Sequence, residues 1–537
     1  MKRKGNIAAI IALVFLFLNA NAASRNTSCG HCSSYMRPVQ MYGCLFHDIM
    51  ECDSLFGPDK LFIESKSVVD MIPKRDVNMI LADYCRLGDG SLEQFIKDNF
   101  TLPSSKEKVF TEKTNIDAYI KALWKFLSCP KDSDELGTRI LMHHPYFVPG
   151  GRFREMYYWD SYFSMLGMLV DDEHDLVISM LDNFSDCIHR LGFIPNGMRT
   201  YYLGRSQPPF FSFMVSDAAS RYTNDDLIVK YLDALVAEYN FWMNGKERLS
   251  EANSASLRTV RMPDGEILNR YYDNFDDPRE EAWRNDIETA SQLLSVRPNA
   301  DVKLLYRNLR AGAESGMDFS SRWMEDGKNL YTIRTTDIVP VDLNCLLYHL
   351  EKTLAKGYIL KGDRKTAEAY TTAAENRSKA INKYLWSDKD NFFIDYILSG
   401  NRQSKTLTLA GVYPLFCNVA TSRQAKKVES TLRAKFLKGG GVVTTLKHTG
   451  QQWDAPNGWA PLQWVTYKGL RNYKCDATAS TLRQRWLETC RKVFAKTGKM
   501  LEKYNVEIQD VTGGGEYSNQ TGFGWTNGVY RAMEIEE

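Results

Sequence analysis

Apolar residues at helical spacing, broken by long glycine- and proline-rich connections, constrain this chain more than any other feature. Leu176, Val177, Met180, Leu181, Phe184 and Ile188 fall three or four apart before Gly192. Leu227, Tyr231, Leu235, Glu238 and Trp242 do the same, with Asn224 placed to cap the start and Gly245 to end the helix. Leu343, Leu346, Leu347, Leu350 and Leu354 make a third helix, and Ala367, Tyr370, Ala374, Ile381, Tyr384 and Leu385 a fourth after Gly362-Asp363. The one clear strand signal is Asn391 to Ile397, a short hairpin turning at Gly400-Asn401. The chain is therefore mainly α. The connections at 194–209, 438–461 and 511–528 are longer than packing requires, so the scaffold is expected to gather them into a pocket at one end.

Two of the loop segments have the chemistry of a sugar site. Pro149-Gly150-Gly151 leads into Arg152, Phe153, Glu155, Tyr158, Trp159, Asp160 and Tyr162. Aromatic faces stack on the apolar C–H faces of sugars, while Arg, Asp and Glu bond their hydroxyls in pairs. The second segment runs from Gln451 to Pro461, with Trp453, Asp454 and Trp459. These three suit a pocket wall and a packed core equally well.

Charge and composition exclude other classes. A net charge of +2, with basic residues scattered rather than striped, implies neither nucleic acid nor an anionic membrane as partner. Lys2, Arg3 and Lys4 precede an apolar run from Ile7 to Leu18, and Ala20-Asn21-Ala22 offers a small-residue cleavage site. Residues 1–22 thus read as a secretory signal peptide, and the mature protein is expected in the periplasm or outside the cell, off the membrane. Of the 11 cysteines, Cys29, Cys32, Cys44 and Cys52 crowd residues 23–54, an N-terminal lead ahead of a catalytic unit over 55–537. Cys29-Gly30-His31-Cys32 lacks the strand-to-helix context of a redox motif and reads as a local disulfide or flexible lead. No HExxH or paired CxxC pattern calls for a metal.

Six segments, in order, resemble the trehalases, glycoside hydrolase family 37: PGGRFREMYYWDSYF, IPNGMRTYYLGRSQPPF, AESGMDFSSRW, VPVDLNCLL, QQWDAPNGWAP and GGGEYSNQTGFGWTNGV. The resemblance spans about residues 55–530 and implies an all-α, (α/α)6 toroid that hydrolyses α,α-trehalose with inversion, as a monomer, using water and no cofactor. It also ranks the 66 acidic residues, which the chain by itself does not. The general acid falls on Asp318, otherwise a helix N-cap before Phe319-Ser320-Ser321. The general base falls on Glu502, otherwise a solvated charge beside Lys503.

The resemblance carries a binding shell onto Arg152, Trp159, Asp160, Asn196, Arg205, Ser206, Gln207, Arg279, Glu281, Gly316 and Glu516. One departure stands out: the family's Arg-Pro-Glu is Arg279-Glu280-Glu281 here, so either the loop geometry differs or Pro278 stiffens it. Gly513-Gly514-Gly515 lacks a P-loop's Lys-Ser/Thr ending and reads as the hinge of a lid bringing Glu516-Tyr517 over the sugar. The alternatives are an α-toroid glycosidase for another disaccharide and a sugar-binding protein without catalysis.

Overall fold

The computed structural model describes residues 35–103, 115–133, 137–512 and 515–536. Twelve helices build the body: α1 (Ile116–Leu127), α2 (Tyr158–Val170), α3 (His174–Leu191), α4 (Phe211–Arg221), α5 (Leu232–Met243), α6 (Val341–Leu360), α7 (Arg364–Tyr384), α8 (Tyr413–Phe416), α9 (Ser422–Thr431), α10 (Ala460–Asn472), α11 (Asp476–Thr497) and α12 (Gly524–Ile535). The even-numbered helices form an inner ring. Each touches the next, and α12 returns to α2 to close it. The odd-numbered helices lie outside them, with α1 against α12 completing the circuit. This is the expected (α/α)6 toroid.

Burial divides the two rings as amphipathicity requires. From Tyr158 to Leu169 every residue of α2 is buried, whereas α7 buries only one stripe that includes Ala367, Ala374 and Ile381. The closing contact between α2 and α12 depends on glycine. A Cβ at Gly528 would lie 2.0 Å from the Phe163 carbonyl oxygen, and one at Gly167 2.7 Å from the Gly528 Cα. The helix ends follow the sequence signals: Asp363 accepts from the Thr366 amide at 3.1 Å, and Gly192 ends α3 at φ 83°.

Two expectations need correction. The helix read over 227–242 is broken at Tyr231, which separates Asp226–Lys230 from α5. The strand read over 391–397 is two short pieces, Phe392–Phe393 paired with Trp386–Ser387 and Tyr396–Ile397 paired with Arg402–Gln403. It divides at Asp395, whose carboxylate is buried on Arg322 (2.7 Å) and the Val341 amide (3.0 Å). The turn through Gly400-Asn401 stands.

Beside the toroid, Tyr42, Leu45, Phe46 and Ile49 share a second buried cluster with Phe62, Val68 and Phe100, and it packs on Tyr157, Tyr202 and Trp283. Cys44 and Cys52 belong to this N-terminal region and are free thiols. The signal peptide, Cys29, Cys32, Gly513 and Gly514 lie outside the described residues.

Candidate active site

The loops that enter the inner helices converge on one cavity of about 310 Å³, a volume typical of small-ligand sites. Arg152, Trp159 and Asp160 come from the entry to α2, and Asn196, Arg205 and Gln207 from the entry to α4. Arg279, Glu281, Gly316 and Asp318 precede α6, while Glu502 and Glu516 precede α12. Ser206 is the one expected residue that does not line the cavity. Its hydroxyl donates to the Ile194 carbonyl at 2.6 Å and its amide to Glu314 at 2.9 Å. Trp453 lines the wall, stacked at 4.0 Å on Trp459 behind it. Asp454 is an anchor: it accepts from the Ser321 amide at 2.9 Å and from the Ser321 hydroxyl at 2.7 Å.

No helix follows Asp318, so it is not an N-cap. Its loop is stapled to the 451–454 segment, with Gln452 Nε2 donating to the Asp318 carbonyl at 2.6 Å and the Trp453 amide to Phe319 at 3.1 Å. The carboxyl group faces Arg279 Nη1 at 3.9 Å. Burial, with Glu516 adding like charge, outweighs Arg279 and raises its pKa to about 7. A pKa near the working pH is what a general acid needs. Glu314, four residues earlier, is buried elsewhere: Arg258 holds it at 2.6 Å, and the Tyr272 amide donates to it at 2.7 Å.

Glu502 is buried too, which rules out the solvated-charge alternative. Its backbone is fixed by the Gln520 carbonyl at 2.9 Å and by Trp525 Nε1 at 2.9 Å. Oε1 accepts from the Tyr517 hydroxyl at 2.8 Å, while Oε2 has no hydrogen-bond partner among the described residues and lies 3.8 Å from Lys503 Nζ. Burial raises the Glu502 pKa, against Lys503, the Tyr517 hydroxyl and Arg152, which all favour its ionised form. Gln452 joins the two sides, for its Oε1 accepts from Lys503 at 3.0 Å.

The remaining shell is held by charge pairs and close packing. Arg205 donates to Glu281 at 2.6 Å and to Asn196 at 2.9 Å. Arg279 forks onto Asp286 at 2.7 Å and reaches Glu516 at 3.2 Å. Arg152 pairs with Glu64 at 2.9 Å, its guanidinium 4.5 Å from the Tyr517 ring centre. Gly316 is a glycine by necessity: φ is +71°, and a Cβ would sit 2.7 Å from the Trp159 ring. Gln207 accepts from the Trp159 amide at 3.0 Å. Burial pushes the Asp160 pKa up, helped by Glu502 and Asp318.

Sequence reasoning missed Glu64, Tyr157, Tyr202, Gln452 and Lys503. Tyr157, Tyr202, Gln452 and Lys503 sit within or beside motifs already singled out, and their bulk and polarity were the available signal. Glu64 belongs to no motif, and nothing local marks it.

A family model described as Trehalase matches residues 60–534. The periplasmic trehalase of Salmonella newport is 45% identical over 502 residues, covering 92% of this chain and 86% of that protein. That of Citrobacter koseri is 44% identical over 527 residues, covering 97% and 89%. Among solved structures, the neutral trehalase of Saccharomyces cerevisiae aligns with TM-score 0.61 at 27% identity, covering 79% of this chain and 80% of that one. A mannosylglycerate hydrolase of Thermus thermophilus, at TM-score 0.51 and 16% identity over 78% of this chain and 99% of its own, shares the fold.

Proposed function

We infer this site's chemistry from membership: the chain belongs to the trehalase family and, as a glycoside hydrolase, splits α,α-trehalose into two glucose molecules. Asp318 gives its proton to the glycosidic oxygen as that bond breaks. Glu502 takes a proton from the water that attacks the anomeric carbon on the opposite face. The observation that carries this assignment is the contrast between two carboxyls lining one cavity, one with its pKa raised to about 7 beside a second carboxylate and one surrounded by cationic and hydroxyl partners. Arg152, Arg205 and Arg279 orient hydroxyls, Trp159 covers a pyranose face, and Asp160, Asn196, Gln207, Glu281 and Glu516 complete the shell. Ser206 acts on the sugar only through the loop it holds.

The relatives from Salmonella and Citrobacter are named periplasmic. With the signal-peptide pattern over 1–22, this supports export to the periplasm with that segment removed. The catalytic unit is 55–537, preceded by residues 23–54, and acts as a monomer. No helix among the described residues is long and apolar enough to cross a membrane.

Product stereochemistry tests the mechanism. Both glucosyl units of trehalose are α-linked, so attack by water releases one β-glucose and one α-glucose. Proton NMR taken before mutarotation should find the two anomers equal. A purely α initial product would mean a covalent intermediate and would remove Glu502 from its role as a base acting through water.

A further inference from the structure

Glu280 stands where the family resemblance sets a proline, between Arg279 and Glu281, which both line the cavity. Its side chain points the other way and is wholly buried. There it accepts from Arg37 Nε at 2.5 Å and from Arg310 Nη2 at 2.9 Å. Arg37 belongs to the N-terminal segment, 243 positions earlier in the chain. It also forks onto Asp277 at 2.8 and 2.9 Å and lies 3.9 Å over the Phe275 ring. One guanidinium thus grips this loop at three points just ahead of its cavity-lining residues.

The backbone explains what the grip replaces. Arg279 has φ −64° and ψ 125°, the extended conformation to which a residue before proline is confined. Glu280 opens the short helix Glu280–Ala282, a position where a missing N–H costs nothing. A proline ring would hold this turn from within, and here two buried ion pairs hold it from outside. Movement of the turn would reach the chemistry directly, because Glu281 accepts from Arg205 at 2.6 Å and Arg279 lies 3.9 Å from Asp318.

We propose that Arg37 and Glu280 form a clamp that positions Arg279 and Glu281, so that the N-terminal segment is part of active-site assembly. The proposal rests on the functional reading above only for the roles of those two residues and for trehalose as assay substrate. The test compares Arg37→Met, Glu280→Pro and the double variant in the full mature chain, well below Tm. Displacement of a binding group by about 1 Å costs up to about 10²-fold in rate, so Arg37→Met should lower kcat/KM for trehalose at least about tenfold. The double variant should return to within about threefold of wild type, because proline stiffens the turn from within and no longer needs the Arg37 partner.

A purely structural role would lower Tm and leave kcat and KM alone. Kinetics within twofold of wild type in folded Arg37→Met would overturn the clamp, as would a loss that proline does not recover. Should Arg37→Met fail to fold, Arg37→Lys keeps the charge without the fork and should still lose about threefold, and unchanged kinetics there would also overturn it. Amide hydrogen exchange across 275–282 reads the clamp without substrate. It should accelerate in the arginine variant and slow again in the double variant, and unchanged exchange defeats the clamp even if trehalose proves the wrong substrate. A wild-type protein that releases no glucose from trehalose, yet follows the exchange pattern, would sink the functional reading and leave the clamp standing.

Discussion

The two walls of the cavity present one carboxyl group each and treat them differently, Glu502 buried and Asp318 with 28% of its side chain open to the cavity. On the acid wall, the strongest influence on Asp318 after burial is another carboxylate, Glu516, which pushes in the same direction. On the base wall, Lys503, the Tyr517 hydroxyl and Arg152 all oppose the effect of burial on Glu502. Desolvation alone would make both groups weak acids; their neighbours separate them. The division of labour follows what faces each carboxyl, for the more exposed of the two, Asp318, is the one raised to about 7 by a like charge beside it.

The hardest test of this comparison removes the proton chemistry while keeping shape. Asp318→Asn and Glu502→Gln should each cut turnover about 10²- to 10⁴-fold, with sugar affinity largely retained. Glu314→Gln is the control. Its carboxylate joins Arg258 to the Ser206 and Tyr272 amides outside the cavity, so its loss should lower stability more than chemistry. Turnover reduced less than about tenfold at either proposed residue, or a larger loss at Glu314, would break the assignment.

Much of this molecule was legible in its sequence, for reasons that can be named. Outer helix α3 buries one stripe, and inner helix α6 still exposes Lys352 and Lys356, so helical spacing survives in Leu176–Ile188 and Leu343–Leu354 as a direct imprint of packing. The sugar-site loops were legible because Arg152, Trp159 and Asp160 are costly to gather without use. What stayed hidden was pairing across distance. Nothing near Arg37 announces Glu280, and nothing near Glu64 announces Arg152, because these partners meet only when the N-terminal region docks on the toroid. The choice among Glu314, Asp318 and other acids was hidden likewise. Spacing does not reveal which carboxyl opens into the cavity; the N-cap alternative fails only once no helix is seen to follow Asp318, and the solvated-charge alternative only once the burial of Glu502 is known.

A finer cut moves each wall separately. Activity should need Glu502 ionised and Asp318 protonated, giving a bell whose alkaline limb lies near pH 7. Glu516 raises the Asp318 pKa, so Glu516→Gln should let that proton leave earlier and shift the alkaline limb of kcat/KM to lower pH. Lys503 lowers the Glu502 pKa, so Lys503→Met should shift the acid limb to higher pH. A charge at this range is worth about one pH unit or more. The groups facing Glu502 are Lys503, Tyr517, Arg152 and Asp160, and the last three remain in place in the lysine variant. Both limbs moving together in either variant would show that the walls are not independent.

The smallest expected effect is on stability, and it should be larger on the acid wall than on the base wall. Asp318 has a folded-state pKa near 7, above the usual value of roughly 3.9 for an unfolded aspartate. The folded protein therefore holds this proton more tightly than the unfolded chain. The stability this confers is complete below the unfolded value and is lost as pH rises through about 7. Above that pH the wild type carries a partly desolvated charge beside Glu516 that asparagine lacks, so Asp318→Asn should raise Tm at pH 8 by about 2 °C and by less at pH 5. Glu502→Gln should not repay it in kind. Its carboxylate already has Lys503 at 3.8 Å, and the amide would leave that buried ammonium with less compensation. Thermal melts of the two variants at both pH values decide the matter: equal stabilisation by both, or destabilisation by Asp318→Asn at pH 8, would mean that the two walls do not differ as their neighbours require.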